Sequence, residues 1–127
     1  MVKNEINTSI ASLQLENNIV KMTLTTDREY EISDVKEIFN AIKKLNPDKK
    51  ALLLADISFI KNVKREVRQY ASYGGADILK ATAIITKTPL SKVVGNFFIG
   101  LNRMTTPVQL FSTEKDAINW LNKIDEK

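Results

Sequence analysis

Ala51-Leu52-Leu53-Leu54-Ala55 is an unbroken apolar run held between the pair Lys49-Lys50 and Asp56, and it restricts the fold more than any other stretch of the chain. A short run with no polar break is the pattern of a strand covered on both faces, so it is the candidate for the central strand of a sheet. The rest of the fold must then supply neighbouring strands and covering helices.

Both are legible. Ala11, Leu13 and Leu15 alternate with Ser12, Gln14 and Glu16, and the alternation resumes with Val20, Met22 and Leu24 against Lys21, Thr23 and Thr25. Asn17-Asn18 between them suits the positive φ of a primed two-residue turn, so the pair reads as a β-hairpin. Residues 1–8 read as a short lead-in or frayed strand. From Ser33 the period lengthens: Val35, Ile38, Phe39, Ile42 and Leu45 follow helical spacing, Ser33 or Asp34 can cap the start, and Asn46-Pro47 ends it.

After Asp56-Ile57-Ser58-Phe59 a second helix is expected, with Val63, Val67, Tyr70 and Ala71 on one side and Lys61, Lys64, Arg65 and Arg68 on the other, ending at Gly74-Gly75. Thr82-Ala83-Ile84-Ile85-Thr86 reads as another buried strand. Thr88 then caps a third helix, with Pro89 at its first position and Leu90, Val93, Val94, Phe97, Phe98 and Leu101 along it. Pro107-Val108-Gln109-Leu110-Phe111 is the last strand, followed from Ser112 or Thr113 by a helix whose inner face is Ala117, Trp120, Leu121 and Ile124. The order β-β-α-β-α-β-α-β-α predicts an α/β fold. Its mixed sheet carries an N-terminal antiparallel hairpin, packed helices and right-handed crossovers.

Composition narrows the chemistry. The chain has 127 residues, which suits one domain over 1–127, and 43% of them are hydrophobic, enough to bury a core. It contains no Cys and no His, which excludes disulfides, zinc ribbons, thiol catalysis and histidine-based triads. No cluster of titratable groups suggests an acid–base pair, so no catalytic residue, metal or cofactor is assigned. The net charge of +4 is spread among acidic residues. It makes no dense basic stripe with interleaved aromatics, so nucleic acid is not an expected partner. No apolar run approaches the roughly 18 residues of a membrane span, and no secretory leader precedes Met1-Val2-Lys3; a cytoplasmic protein is expected.

Three segments carry a family likeness: Ala51 through Phe59, Arg65-Glu66-Val67-Arg68-Gln69-Tyr70-Ala71, and Pro107 through Ser112 running into Ala117-Ile118-Asn119-Trp120-Leu121. With the order of elements, they resemble the STAS / SpoIIAA-like domain family, and within it the uncharacterised bacterial SpoIIAA-like branch. The resemblance implies a regulatory, protein-binding domain without enzymatic activity. In the signalling members of that family, a Ser at a helix start after the central strand is phosphorylated by a partner kinase. By register, Asn62 stands at that Ser and Lys61 at the Asp before it, so the switch residue is replaced. Ser58 remains the hydroxyl in the same loop.

Ligands of open α/β sheets sit outside the carboxyl ends of the strands. Those ends supply Asp56, Ser58, Lys61 and Asn62 from one loop and Thr86 and Thr88 from the next. These groups could hold an anion at a helix start, or serve simply as caps. The stripe Lys61, Lys64, Arg65 and Arg68 could dock an acidic partner, or be a solvated helix face. The third helix is apolar over a band too wide for the core alone. Phe97, Phe98 and Ile99 mark either a homodimer interface or a pocket, with Ile99 on the side of Gly95, where a second backbone could come close. A carrier or sensor of a small apolar or anionic, lipid-like ligand near the third helix is the alternative function. Tyr70 and Trp120 are expected in the core, and Asp27, Arg28, Glu29 and Glu31 in a solvated loop.

Overall fold

The computed structural model describes residues 4–58, 60, 63–102 and 106–126, with the backbone alone for 97–102. Six strands form one sheet in the order β1(Glu5–Asn7), β2(Ala11–Glu16), β3(Ile19–Leu24), β4(Ala51–Asp56), β5(Leu79–Ile85) and β6(Val108–Phe111). β1, β2 and β3 run antiparallel to one another, and β3 through β6 are parallel. Four helices complete the chain: α1(Ile32–Leu45), α2(Arg65–Gly75), α3(Pro89–Asn102) and α4(Glu114–Asp125).

The expected hairpin is present. Asn17 and Asn18 both take positive φ, 50° and 72°, and the register Glu16↔Ile19 closes a two-residue turn whose twist matches the strands. β4 lies between β3 and β5, with Ala51 through Ala55 all buried. A sheet whose parallel strands follow chain order, joined by right-handed crossovers, places every crossover helix on the same face. So α1, α2 and α3 cover one face, burying Leu13, Val20, Met22, Leu53, Ala55 and Ile84 against Val35, Ile42 and Val67 among others. α4 follows the last strand and closes no crossover. It folds onto the other face, where Leu52, Leu54, Ala81, Ala83 and Ile85 meet Ala117 and Leu121.

Three expectations need correction. The segment before Ser9 contributes a paired strand: β1 lies against β2 with Ile6 opposite Leu13, giving a β-β-β start. α1 begins earlier than Ser33. Glu31 is its cap, and Asp34, three residues on, accepts the Glu31 N–H at 2.8 Å instead of serving as the cap itself. α2 begins at Arg65, with Lys64 at its cap. Ile57, Ile60 and Val63 recur every three residues and are all buried, which imitates a helix. They belong to a loop that turns through an Ile60 N–H to Ile57 carbonyl bond of 3.0 Å. The expected helix starts at Thr88 and Thr113 hold. Thr88 Oγ1 accepts the Ser91 N–H at 3.0 Å, and Thr113 Oγ1 accepts the Asp116 N–H at 3.2 Å.

Candidate functional site

The groups expected at the carboxyl ends of β4 and β5 are largely absorbed by local structure. The Asp56 carboxylate accepts the N–H of Ser58 at 2.9 Å, an Asx turn that shapes the loop. Ser58 Oγ is buried and has no partner among the described residues. Thr86 is buried, and its N–H continues the sheet to the Phe111 carbonyl at 3.0 Å. Thr88 and Ser91 bond reciprocally, since Ser91 Oγ also accepts the Thr88 N–H at 3.1 Å. Asp56 with Ser58 and Thr88 with Ser91 therefore act as turn and cap groups. Lys61 and Asn62 lie outside the described residues.

Lys61 lies outside the described residues, and the rest of the basic stripe is divided. Lys64 precedes the helix, and only Arg65 and Arg68 are on it. Lys64 Nζ reaches back to Glu29 at 3.3 Å and Glu31 at 3.2 Å, tying the loop before α1 to the loop before α2. The hydrogen bond to Glu31, then that to Glu29, raises the ammonium pKa above its ordinary value. The Arg68 guanidinium donates to the Val63 carbonyl, which fastens the same loop to the first turns of the helix.

One cluster has no sequence signature. Arg28 grips Asp34 in a bidentate pair, Nη2 to Oδ1 at 2.8 Å and Nη1 to Oδ2 at 2.9 Å. Ser9 adds a hydroxyl bond to Asp34 at 3.2 Å and another to Glu37 at 2.7 Å. The guanidinium hydrogen bonds, opposed by burial and helped by the Glu31 N–H, pull the Asp34 pKa down to about 2. The loop read as solvated is thus anchored, and Tyr30 within it is buried, with its hydroxyl donating to the Thr26 carbonyl.

α3 shows a wide apolar surface, but Gly95 is not where a second molecule approaches. A Cβ at Gly95 would stand 2.6 Å from Leu110 Cδ2, so the glycine lets α3 pack against β6 of its own sheet. Val94 is buried beside it, while Leu90 and Val93 are 46% and 53% exposed. The side chains of Phe97, Phe98 and Ile99 lie outside the described residues. Tyr70 stacks on Phe39 with ring centroids 6.2 Å apart, and Trp120 leans on Phe111 at 5.6 Å, both as core packing.

The pocket expected beside Phe97 and Phe98 falls on side chains outside the described residues, and another apolar pocket is present. A cavity of about 140 Å³ lies between the sheet and the underside of α1 and α2, and no described α3 side chain lines it. Its walls include Leu53, Ala55 and Ile84 from the sheet, and Val67 and Ala71 from α2. Among the described residues no group of three or more acidic side chains is placed to hold a metal, and no helix is long and apolar enough to cross a membrane.

Comparison with solved structures places the fold. An uncharacterized protein of the DUF3478 family from Shewanella loihica PV-4, described as having a SpoIIAA-like fold, superposes with a TM-score of 0.61 at 14% identity, over 87% of this chain and 91% of that one. An anti-sigma factor antagonist from Mycobacterium paratuberculosis also gives a TM-score of 0.61, at 15% identity over 88% and 92% of the two chains. Identities this low establish a SpoIIAA-like fold and nothing finer. No curated protein matches the sequence. The sequence family is not a STAS family: the model of the family described as Domain of unknown function (DUF7793) matches residues 13–125, and the chain belongs to that family.

Proposed function

We propose that this is a non-enzymatic regulatory domain, one folding unit over residues 1–127, that acts in the bacterial cytoplasm by binding another protein, with a second copy of itself as the first partner to test. One observation carries the reading: α3 is apolar on two sides. Val94 and Gly95 face the fold, while Leu90 and Val93, one turn apart and therefore neighbours on the helix surface, are exposed. The apolar surface thus runs on from the buried face round the flank into solvent, and such an exposed patch suits a partner. The shared fold with a protein described as an anti-sigma factor antagonist agrees with a regulatory role. A phosphoryl switch is not part of the proposal, because Asn62 carries no hydroxyl.

Native mass spectrometry of wild type beside Val93→Asp tests it. A wild-type dimer that becomes monomeric in Val93→Asp, with the circular dichroism spectrum unchanged, is the expected result. A monomeric wild type at tens of micromolar, or a folded Val93→Asp that stays dimeric, removes self-association through α3.

A further inference from the structure

The cavity beneath α2 has a physical origin that also defines its ligand. α2 lies against α1 and α3 and turns Val67 into the core on the sheet. Where it faces the sheet, the side chains are small on both sides, Ala71 on the helix against Ala55 and Thr82 on the strands. About 140 Å³ is left unfilled. The space is walled by apolar side chains and is about half open to its surroundings.

Water is a poor occupant. A tightly held water needs two to four polar partners, and the polar side chains on the described wall are those of Thr82 and Tyr30, the latter with its hydroxyl given to the Thr26 carbonyl. Among the described wall residues there is no Lys, Arg, Asp or Glu, so a charged headgroup finds no counter-charge among them. The volume is close to that of engineered apolar cavities of about 150 Å³ in other proteins, which accept benzene or xenon.

We propose that this cavity is a binding site for one small, uncharged, apolar molecule of about the size of benzene. The site is independent of the α3 surface, so it stands or falls apart from the protein-binding role.

Benzene is the probe. Titration into the full chain, isotope-labelled at methyl groups, should give saturable shifts of Leu53, Val67 and Ile84, with Leu52, Leu54 and Ile85 on the opposite face unmoved, and should raise the melting temperature. Ala71→Leu fills the space from the helix and should weaken binding at least tenfold. If that variant does not fold, Thr82→Ile fills it from the sheet and should do the same. Shifts that do not saturate, shifts spread over both faces, or undiminished binding in a folded filled variant overturn the proposal.

Discussion

The two faces of the sheet are covered differently, and the contrast is clearest within β4, where neighbouring residues point opposite ways. Leu54 and Leu52 face α4, and Leu53 and Ala55 face the three crossover helices. On the α4 side a single helix fits closely because the strand residues opposite it are small: Ala81 and Ala83 are fully buried, as are Ala117 and Leu121 on the helix. The Lys21–Glu114 pair at 2.7 Å holds the start of α4, and Lys80–Asp125 at 3.2 Å holds its end. On the other side three helices share the area, and a cavity remains beneath the middle one. Small residues thus act in opposite ways. Facing a helix seated on the sheet, alanine permits contact; facing the small Ala71 of α2, it leaves a void.

The largest effect that could break this contrast is a matched pair within one strand. Leu54→Ala should lose stability toward the upper end of about 2–5 kcal/mol and Leu53→Ala toward the lower end, because Leu53 already borders empty space and has fewer contacts to lose. Urea midpoints decide it, and equal losses would mean the two faces are packed alike. Enlarging an alanine sharpens the same point. Ala83→Leu on the α4 face should cost about 1–3 kcal/mol by overpacking, whereas Ala71→Leu should be neutral or stabilising.

The Arg28–Asp34 pair, which anchors α1 on the three-helix side, gives the next effect. Because the folded pKa of Asp34 is depressed from 3.8 to about 2, its contribution is complete above pH about 4 and is lost as pH falls through 2. The depression corresponds to about 2 kcal/mol. Thermal melts between pH 5 and 2 should show this slope in wild type and a shallower one in Asp34→Ala. The smallest effect is expected from Lys64→Ala. Its partners Glu29 and Glu31 are exposed, so any loss should shrink further as salt is added.

What could be read in advance was local. The Asn17-Asn18 turn, the buried run of β4 and the caps at Thr88 and Thr113 each depend on residues within a few positions of one another. β1 escaped because three residues, of which only Ile6 is even half-buried, have no pattern apart from their pairing with β2. The start of α2 was misplaced because Val63 stands four residues before Val67, at helical spacing, while it plugs the core from the preceding loop. Arg28 and Asp34 meet because Glu31 caps α1 and turns Asp34 back over the preceding loop, and no spacing rule encodes that meeting. The cavity was illegible for a different reason: its walls come from strands, loops and two helices far apart in sequence, and only the fold brings them together.

The position of α4 outside the crossovers also orders events in time. Strands β3 through β6 and their three helices can associate as the chain leaves the ribosome, but the face bearing Leu52, Leu54, Ala83 and Ile85 stays bare until Ala117 and Leu121 have been synthesised. For that interval the nascent protein displays a flat apolar sheet surface, the kind of surface chaperones bind. That surface is covered only when the α4 segment, Glu114–Asp125, docks on it.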